Sequence, residues 1–370
     1  MTPDDVLAAV RAMAPTVADR AAEAEAARRL PADLLDGLRD AGCFRMSMPE
    51  SHGGLGADLM AIMAVLEALA RADAATAWTV MIGGNAWIDL AGLPRTTFDK
   101  AFDRPDVIVA GVFAPSGSIV PVDDGYRVSG RWSFASGCEH ADVLYANCVD
   151  GDGELRMALL APDDVQVEDT WTAAGLCGTG SHHFRVAGRV VPADHTYRLF
   201  ADPPCVDVPI VRIPVPTLIC LLIAAVAVGI AQGALDDLGE LAAHKVPLLD
   251  HEPLAADPAF QIELATADTD VRACRALLAA TADDVWASEA LTMPQRARAR
   301  ATAVWVTSRA AAVVTAAHHA AGSTAVYAAS PLHRRLRDVH TLTQHFLVKR
   351  STLTTAGAAL AGREVAVPVF

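Results

Sequence analysis

The sequence predicts a mainly α-helical protein with a β-domain at its centre. The central region, residues 106–205, consists of short segments in which apolar and polar residues alternate, separated by Gly, Pro and Asp turn signals. The flanking regions, residues 1–105 and 206–370, are rich in alanine and carry apolar residues at helical spacing. These ranges are the three predicted domains: an N-terminal helical domain, a central β-domain and a C-terminal four-helix bundle.

The N-terminal domain is predicted to contain four helices joined by short connections rich in Gly, Pro and Asp. They cover residues 3–24, 31–41, 57–71 and 75–90. The C-terminal domain is predicted to contain four longer helices, sized for an antiparallel bundle. They cover residues 217–244, 257–287, 294–321 and 331–361.

The central domain is predicted to begin with a strand at 107–114 and to continue through further short strands. These cover residues 125–130, 131–137, 142–149, 155–161 and 184–191. Within this region Trp132 and Phe134 alternate with polar residues, which predicts half-buried strands and a platform for a flat ligand. Ser136 ends the third segment beside a glycine, where a ligand can approach the backbone closely.

The most apolar segment of the chain, residues 218–230, is predicted to be a buried helix of the C-terminal domain. Its uninterrupted apolar run is shorter than the roughly 20 residues that span a bilayer. Asp236 and Asp237 follow it closely, without the basic flanks typical of membrane helices.

Composition argues against several classes of protein. A net charge of −14 argues against a nucleic-acid-binding surface, which needs clustered Lys and Arg. The seven cysteines are scattered and form no CxxC pair, which favours reduced thiols in the cytoplasm over a disulfide framework or a zinc site. The histidine pairs at 182–183 and 318–319 lack metal-ligand spacing. The acidic N-terminus has no long apolar segment, so we expect no secretory signal.

Several motifs resemble the acyl-CoA dehydrogenase superfamily and occur in the order found there. MSMPESHGGLGAD (46–58) and LEALARADAATAW (66–78) are similar to its N-terminal helical domain. TWTAAGLCGTGSHHFRVAGRVVP (170–192) is similar to its β-domain, and GSTAVYAASPLHRRLRDVHTLTQHF (322–346) matches its last helix pair. The resemblance implies N-terminal helices, a β-barrel or sandwich, and a C-terminal four-helix bundle.

Two departures separate the chain from the dehydrogenases of this superfamily. GVFAPSGSIV (111–120) stands where dehydrogenases carry an acidic TEPxAGSD-like segment. No carboxylate occurs from Thr341 to Gly362, where one dehydrogenase subgroup places its catalytic glutamate, and His345 stands in that region. Because another subgroup places its base elsewhere, an acyl-CoA dehydrogenase or oxidase that uses FAD is the alternative.

GYRVSGRWSFASGCEHAD (125–142), GLCGTGS (175–181) and RDVHTLTQHF (337–346) resemble the two-component flavin-dependent monooxygenases of this superfamily, such as phenol, hydroxyphenylacetate and steroid-ring hydroxylases. The resemblance implies that reduced FMN or FAD arrives from a separate NAD(P)H:flavin reductase and forms a C4a-hydroperoxyflavin with O₂. The protein would then hydroxylate or N-oxygenate a small organic substrate, aromatic or polyketide-like. A catalytically silent flavin-binding subunit is a third alternative.

The resemblance places Ser136 beside flavin N5, where its hydroxyl prolongs the life of the hydroperoxide. It places His345 in the substrate pocket, as a base with a reference pKa of about 6.5 or as a group that positions the hydroperoxide. His345 is favoured over His340, which lies on another face of the predicted helix. Flavin contacts are also expected from Trp132, Phe134, Gly178, Thr179, Gly180, Ser181, Gly322 and Ser323, and substrate contacts from Trp78 and Asn85.

The resemblance also implies a homotetramer, a dimer of dimers packed through the C-terminal helices, which would account for the apolar helix at 218–230. Arg334, Arg335 and Arg337 form a basic cluster that either meets flavin phosphate from a neighbouring subunit or lies on a solvated helix face. Residues 244–261 lack the arginine and the FG pair with which FAD-holding dehydrogenases grip the dinucleotide. That difference suits FMN, or a diffusible reduced flavin of either kind.

Overall fold

A computed structural model describes residues 1–365 of the chain, and its N-terminal region is helical. The first helix begins at a capping box formed by Thr2 and Asp5, and the fourth begins where the Asp73 carboxylate accepts a hydrogen bond from the Thr76 N–H. All four helices predicted in this region are present. The helices are α1 (Pro3–Ala27), α2 (Ala32–Asp40), α3 (Leu59–Ala72), α4 (Ala74–Asn85) and the short α5 (Arg95–Ala101).

The central region forms one seven-stranded sheet in the order β5-β6-β2-β1-β3-β4-β7. The β1–β3 pairing is parallel and every other pairing is antiparallel. The segments predicted at 125–130 and 131–137 are one continuous strand, and two strands of three residues each had no signal in the sequence. The strands are β1 (Val109–Val122), β2 (Gly125–Ala135), β3 (Val143–Val149), β4 (Leu155–Leu160), β5 (Gln166–Glu168), β6 (His182–Val191) and β7 (Thr196–Arg198).

The alternation along the strands gives the β-domain a core of its own. Inward side chains of β1, β2, β3, β4 and β6 form one apolar cluster, in which the Trp132 ring stacks on Phe184 with centroids 5.1 Å apart. Trp132 also donates its indole N–H to the carbonyl of Asn147 on β3 (2.8 Å). The predicted fold class, mainly helical with a central β-domain, is confirmed.

The C-terminal region contains three long helices and two short ones. They are α6 (Val215–His244), α7 (Pro258–Trp286), α8 (Met293–Ala321), α9 (Pro331–Leu342) and α10 (Thr352–Leu360). The prediction of a single last helix over 331–361 is wrong, because the chain leaves the helix after Leu342 and turns until Ser351. Thr343 donates its hydroxyl to the His340 carbonyl (2.8 Å), and Arg300 of α8 donates to the Leu347 carbonyl (3.3 Å). The Arg300 bond ties the turn between α9 and α10 to α8.

Helix α6 is long and apolar enough to cross a membrane by length and composition, with a mean hydropathy of 2.5 in its most apolar window. That window is 89% buried inside the chain, as the sequence predicts for a core helix. Helix α3 packs so closely on it that a Cβ at Gly229 would lie 2.4 Å from the Glu67 carbonyl oxygen. The N-terminal and C-terminal helices therefore share one apolar core.

Candidate active site

A cavity of about 540 Å³ lies where the two helical regions meet the sheet. Its volume is in the range of small-molecule sites. Most of its walls are apolar, and its ionisable lining residues are Asp89, Tyr145, His345 and Lys349. The remaining lining residues are Trp78, Ile82, Ala86, Gly111, Val112, Phe113, Ala114, Ser133, Phe134, Ser136, Trp171, Leu176, Ser181, Val215, Pro216, Ile219, Thr341, Gln344, Phe346 and Leu347.

One face of α4 and of the turn that follows it runs along the cavity. Trp78, Ile82, Ala86 and Asp89 are three or four residues apart, so their side chains lie on the same side of the helix. At 1.5 Å per residue, the span from Trp78 to Asp89 is about 16 Å. The cavity therefore has two separate ends along this helix.

At one end, which we call the hydroxyl end, the side chains of Trp78, Ser136, Ser181 and Thr179 form a chain of hydrogen bonds. The Trp78 indole N–H donates to Ser136 Oγ (3.0 Å), Ser136 Oγ lies 2.7 Å from Ser181 Oγ, and Ser181 Oγ lies 2.7 Å from Thr179 Oγ1. Thr179 donates its proton to the Leu176 carbonyl (2.8 Å).

The last bond of this chain sets the direction of the others. Because the Thr179 hydroxyl donates to a carbonyl, it accepts from Ser181, and Ser181 in turn accepts from Ser136. The Ser136 proton is therefore directed at Ser181 and is not available to a ligand. A hydroxyl oxygen has two lone pairs, and the one not used by Trp78 is available to a ligand.

An irregularity in β2 places an aromatic ring beside the hydroxyl end. The pairing of β2 with β6 shifts between Trp132 and Ala135, and Phe134 adopts a φ of +69°. A positive φ is unfavourable for a bulky residue and is found where the surrounding structure imposes it. The ring, 68% exposed, lines the cavity in edge contact with Trp171, at a centroid distance of 6.2 Å.

At the other end, which we call the carboxyl end, Asp89 and Tyr145 line the cavity. Tyr145 donates its hydroxyl to Asp89 Oδ2 (2.9 Å), and Tyr197 donates to the Asp89 backbone carbonyl (2.5 Å). Oδ1 of Asp89 is buried and has no hydrogen-bond partner within residues 1–365. Burial raises the pKa of Asp89 to about 7, although the Tyr145 hydrogen bond acts in the opposite direction.

Two glycines make room for these tyrosines. A Cβ at Gly111 would lie 2.4 Å from the ring of Tyr145, its register partner on β3. A Cβ at Gly92 would lie 2.3 Å from the ring of Tyr197. The local sequence thus brings both phenol groups to Asp89.

His345 lines the cavity from the turn that follows α9. Its ring makes an edge contact with Trp78, with centroids 5.7 Å apart. The Leu347 N–H donates to His345 Nδ1 (3.3 Å), which assigns the ring proton to Nε2. Burial, together with the charge of Arg300, lowers the pKa of His345 to about 4. Near neutral pH the ring is uncharged and offers an N–H donor. His340 instead lies 3.1 Å from the Thr315 hydroxyl and does not line the cavity.

The structure does not bring every expected residue to the cavity. Trp132 faces the core of the β-domain, because it lies on the inward side of β2. Asn85 is buried and donates to a carbonyl of its own helix (2.8 Å), off the face of α4 that lines the cavity. Gly322 and Ser323 are exposed at the end of α8. Of the residues expected at the flavin or the substrate, the cavity collects Trp78, Phe134, Ser136, Ser181 and His345.

The glycines of the GLCGTGS loop serve packing within the chain. A Cβ at Gly178 would lie 3.1 Å from the Cβ atoms of Ala24 and Ala75. A Cβ at Gly180 would lie 2.8 Å from the Arg28 carbonyl oxygen. These glycines let the loop approach α1 and α4, which puts Ser181 next to Ser136.

The basic cluster of α9 is engaged in ion pairs inside the fold. The Arg335 side chain is buried and binds Asp237 at 2.6 Å, and Arg337 binds Glu25 at 2.6 Å. The interpretation of this cluster as a solvated helix face is therefore wrong for these two arginines. Both guanidinium groups hold α9 to the rest of the molecule.

Comparisons with known proteins agree with this architecture. Residues 4–92 match the model of the acyl-CoA dehydrogenase N-terminal domain, and residues 221–350 match that of the C-terminal domain. The chain is 29% identical over 367 residues to indole-3-acetate monooxygenase of Pseudomonas putida, covering 96% of this chain and 94% of that protein. It is 30% identical over 346 residues to the flavin-dependent monooxygenase oxygenase subunit HsaA of Rhodococcus jostii (strain RHA1), covering 89% and 91%. The crystal structure of 3-HSA hydroxylase from Rhodococcus sp. RHA1 superposes with a TM-score of 0.91 at 27% identity, covering 99% of both chains.

The chain belongs to the acyl-CoA dehydrogenase family of flavoproteins. Within that family it is a flavin-dependent monooxygenase, the oxygenase component of a two-component system that uses reduced flavin, O₂ and a separate flavin reductase. The findings support the monooxygenase prediction and not the acyl-CoA dehydrogenase alternative.

The residues of the hydroxyl end fit a reduced flavin. Ser136 presents a hydrogen-bond acceptor that could receive an N–H such as the one at N5 of a reduced flavin, and the exposed ring of Phe134 offers a flat surface in the same cavity. Lys349 is the cationic residue of the cavity lining.

Asp89 and Tyr145 were not identified from the sequence. A single acid inside the apolar run Ala86–Leu90 was a usable signal, since a buried carboxyl group needs partners. Tyr145 carried no such signal, because an aromatic residue on a strand is typical of a core.

Proposed function

We propose that this chain oxygenates a flat aromatic substrate that lies between the hydroxyl end and the carboxyl end of the cavity, with reduced FMN or FAD as the flavin. The observation that carries the proposal is the one-directional hydrogen-bond chain, which leaves the Ser136 oxygen as an acceptor. The aromatic substrate in the name of indole-3-acetate monooxygenase supports the class of compound.

When bound, reduced flavin activates O₂ and supplies one oxygen atom to the substrate. Ser136 would accept a hydrogen bond from the N–H at N5 of a bound reduced flavin and would so hold that proton in place. Trp78 and Ser181 keep the Ser136 hydroxyl in the acceptor orientation. A retained N5 proton favours oxygen transfer over release of H₂O₂.

His345 acts in this proposal as a hydrogen-bond donor. Its Nδ1 is occupied by the Leu347 N–H, and its pKa of about 4 makes it a weak base near neutral pH. The Nε2–H can therefore position an oxygen atom next to Trp78. This role favours the positioning alternative over the base alternative for His345.

The apolar walls exclude water from the reacting groups. Apolar residues of β1, α6 and the turn after α9 line the cavity together: Val112, Phe113, Ile219 and Phe346. In such surroundings hydrogen bonds to a ligand are stronger than in water. Side reactions with water are also suppressed.

We also propose a homotetramer of cytoplasmic subunits, each with domains at 1–105, 106–205 and 206–370. The apolar helix α6 does not support this assembly, because the chain itself buries it. Exposed apolar side chains of the long C-terminal helices support it instead: Ile262, Leu277 and Trp305.

The proposed function is tested by mixing the protein with chemically reduced FMN or FAD, ¹⁸O₂ and a set of indoles and naphthols. We expect a transient flavin absorbance distinct from the reduced and oxidised spectra, and a product that contains one labelled oxygen atom. Comparing the two flavins shows which one supports the higher yield of product per O₂ consumed.

Protein that is unfolded by heat before mixing is the control, since free reduced flavin reacts with O₂ by itself. Unlabelled product, or reduction of bound FAD by an acyl-CoA without oxygen incorporation, would contradict the proposal. Mass spectrometry of the product and a peroxide assay give both quantities.

A further inference from the structure

The carboxyl end holds a buried acid whose hydrogen bonds are incomplete. Asp89, 6% exposed, has one oxygen bonded to Tyr145 and one without a partner within residues 1–365. A buried polar atom without a partner costs roughly 1–3 kcal/mol, and more when the group is charged. Such an atom in a residue that lines a ligand cavity indicates a partner that arrives with the ligand.

The surroundings of Asp89 are built to hold the acid where it is. Gly111 and Gly92 leave the space that the rings of Tyr145 and Tyr197 fill, and both hydroxyl groups donate to Asp89. Because Tyr145 uses its proton on Asp89, its own oxygen can only accept. When Asp89 is ionised, above its pKa of about 7, the pair therefore presents acceptors, and no donor, to the cavity.

The chemistry of the lining selects the kind of donor. Apart from the acid and its tyrosine, the walls near Asp89 are apolar, and the cation of the cavity is Lys349. A ligand carboxylate would be repelled by ionised Asp89. An ammonium group would lose its hydration in an apolar cavity that already contains a lysine. A neutral O–H or N–H avoids both penalties.

The position of the pair determines which end of the substrate carries the donor. Asp89 lies about 16 Å along α4 from Trp78, which belongs to the hydroxyl end. A donor that reaches Asp89 is therefore remote from the flavin. Oδ1 itself is fully covered, so contact requires a turn of the carboxyl group about its broad χ2 torsion.

We propose that Asp89 and Tyr145 form the specificity site for the substrate, and that they bind a neutral O–H or N–H group at the end of a flat aromatic molecule remote from the oxygenated position. This proposal rests on the proposed function, because it names the class of substrate for the same cavity. No covalent step is involved.

The test compares ligands of one shape in the full-length protein. Calorimetric titrations with 2-naphthol and naphthalene, without flavin or O₂, measure what the hydroxyl adds to affinity. We expect 2-naphthol to bind at least about tenfold more tightly at about pH 8, where Asp89 is ionised, as for a hydrogen bond to a charged acceptor. In Asp89→Leu this preference disappears while naphthalene still binds.

Two further variants keep the test decisive. Asp89→Asn preserves the size of the group, so it covers the case in which Asp89→Leu does not fold, and we expect the preference to fall at least about threefold. Asp338→Asn is the matched control. Asp338 is also buried, burial raises its pKa to about 7 as well, and it lies outside the cavity lining, so the preference stays unchanged.

Equal affinity of the two ligands in the unaltered protein, or a preference that persists in both Asp89 variants, overturns the proposal. If 2-naphthoate or 2-naphthylmethylammonium binds more tightly than 2-naphthol, the proposal that the site selects a neutral O–H or N–H group is wrong. Because the titrations need no flavin, their failure is separate from a failure of the oxygenation test.

Discussion

The two ends of the cavity differ in how completely their polar atoms are hydrogen-bonded within the protein. At the hydroxyl end, Trp78, Ser136, Ser181 and Thr179 pass hydrogen bonds in one direction to a carbonyl. At the carboxyl end, Asp89 keeps one oxygen that has no hydrogen-bond partner in the part of the chain that the structure describes. A complete chain of hydrogen bonds fixes the orientation of a hydroxyl group before any ligand arrives. A carboxyl oxygen without a partner can instead accept a hydrogen bond from a ligand.

This difference matches what each end has to bind. A flavin is the same molecule in every catalytic cycle, so a fixed acceptor at Ser136 suits it. A substrate must be distinguished from similar molecules, and an unpaired buried acceptor rejects those that lack a donor. We therefore predict that substitutions at the carboxyl end change stability and substrate selectivity. Substitutions at the hydroxyl end should change coupling, which is the amount of product formed per O₂ consumed.

The largest expected effect concerns stability and Asp89→Asn. Because the pKa of Asp89 is raised from 3.8 to about 7 in the folded chain, the folded state binds this proton more tightly than the unfolded state. Its contribution is fully present below about pH 4 and is lost as pH rises to about 7. We measure the free energy of unfolding of both proteins in urea. As pH rises from about 4 to about 7, the value for Asp89→Asn should increase by on the order of 3–4 kcal/mol relative to the value for the unaltered protein.

Taking the difference between the two proteins cancels Asp338, whose raised pKa gives the same trend in both. The titratable groups that face Asp89 are Tyr145 and Tyr197, and the pKa values of both lie well above their usual range, so they stay neutral. If the difference in unfolding free energy between the two proteins does not change with pH, Asp89 is not the group that binds the proton. The proposed difference between the two ends of the cavity would then be wrong.

The next effect concerns coupling and Ser136→Ala. This change removes the acceptor for the flavin N–H and leaves the Trp78 N–H without a partner. We expect product per O₂ consumed to fall about tenfold, with a matching rise in H₂O₂. Ser181→Ala keeps the Ser136 oxygen but frees its proton to turn into the cavity, so we expect a fall of about threefold.

Ser129→Ala is the matched control, because this hydroxyl lies on the same strand but outside the cavity lining. Equal coupling in the Ser136 and Ser181 variants would mean that the direction of the chain has no effect. Peroxide and product assays on the same reaction mixtures measure all three variants.

The smallest expected effect concerns His345, where substitutions distinguish a role as hydrogen-bond donor from a role as base. We expect His345→Gln, which keeps an N–H, to retain most of the product yield, and His345→Leu to lose about fivefold. With a pKa of about 4, the histidine should add no step to the pH profile of product yield above about pH 5.5. A step near pH 6.5 in the unaltered protein that is absent in His345→Gln would instead support a base.

Most of the fold was predictable from the sequence, because long segments of uniform periodicity determine their own type. Helices α1 to α4 and α6, α7 and α8 are of this kind, whereas the short α5 was not predicted. The break between α9 and α10 was not predictable. It depends on Arg300 of a distant helix donating to the Leu347 carbonyl, and no local pattern encodes that contact.

The site was predictable in part, through family motifs that include Ser136, Ser181 and His345. Trp132 and Phe134 show the limit of this reasoning, since both have the same place in the alternation of β2. The shift in pairing turns only Phe134 outward. The carboxyl end depends on two tertiary hydrogen bonds of Asp89, from Tyr145 and Tyr197, which form only when β3 and β7 lie beside the turn after α4.

The apolar core shared by the two helical regions also bears on how the chain folds as it is synthesised. Helices α3 and α4 leave the ribosome well before α6, the helix on which α3 packs. Until about 160 further residues have been made, α3 can pack on α1 and α4, but the face that packs on α6 has no native partner. The β-domain, with a core of its own, can form in the meantime. A nascent chain that ends before residue 215 should therefore contain a folded sheet and an aggregation-prone helical segment.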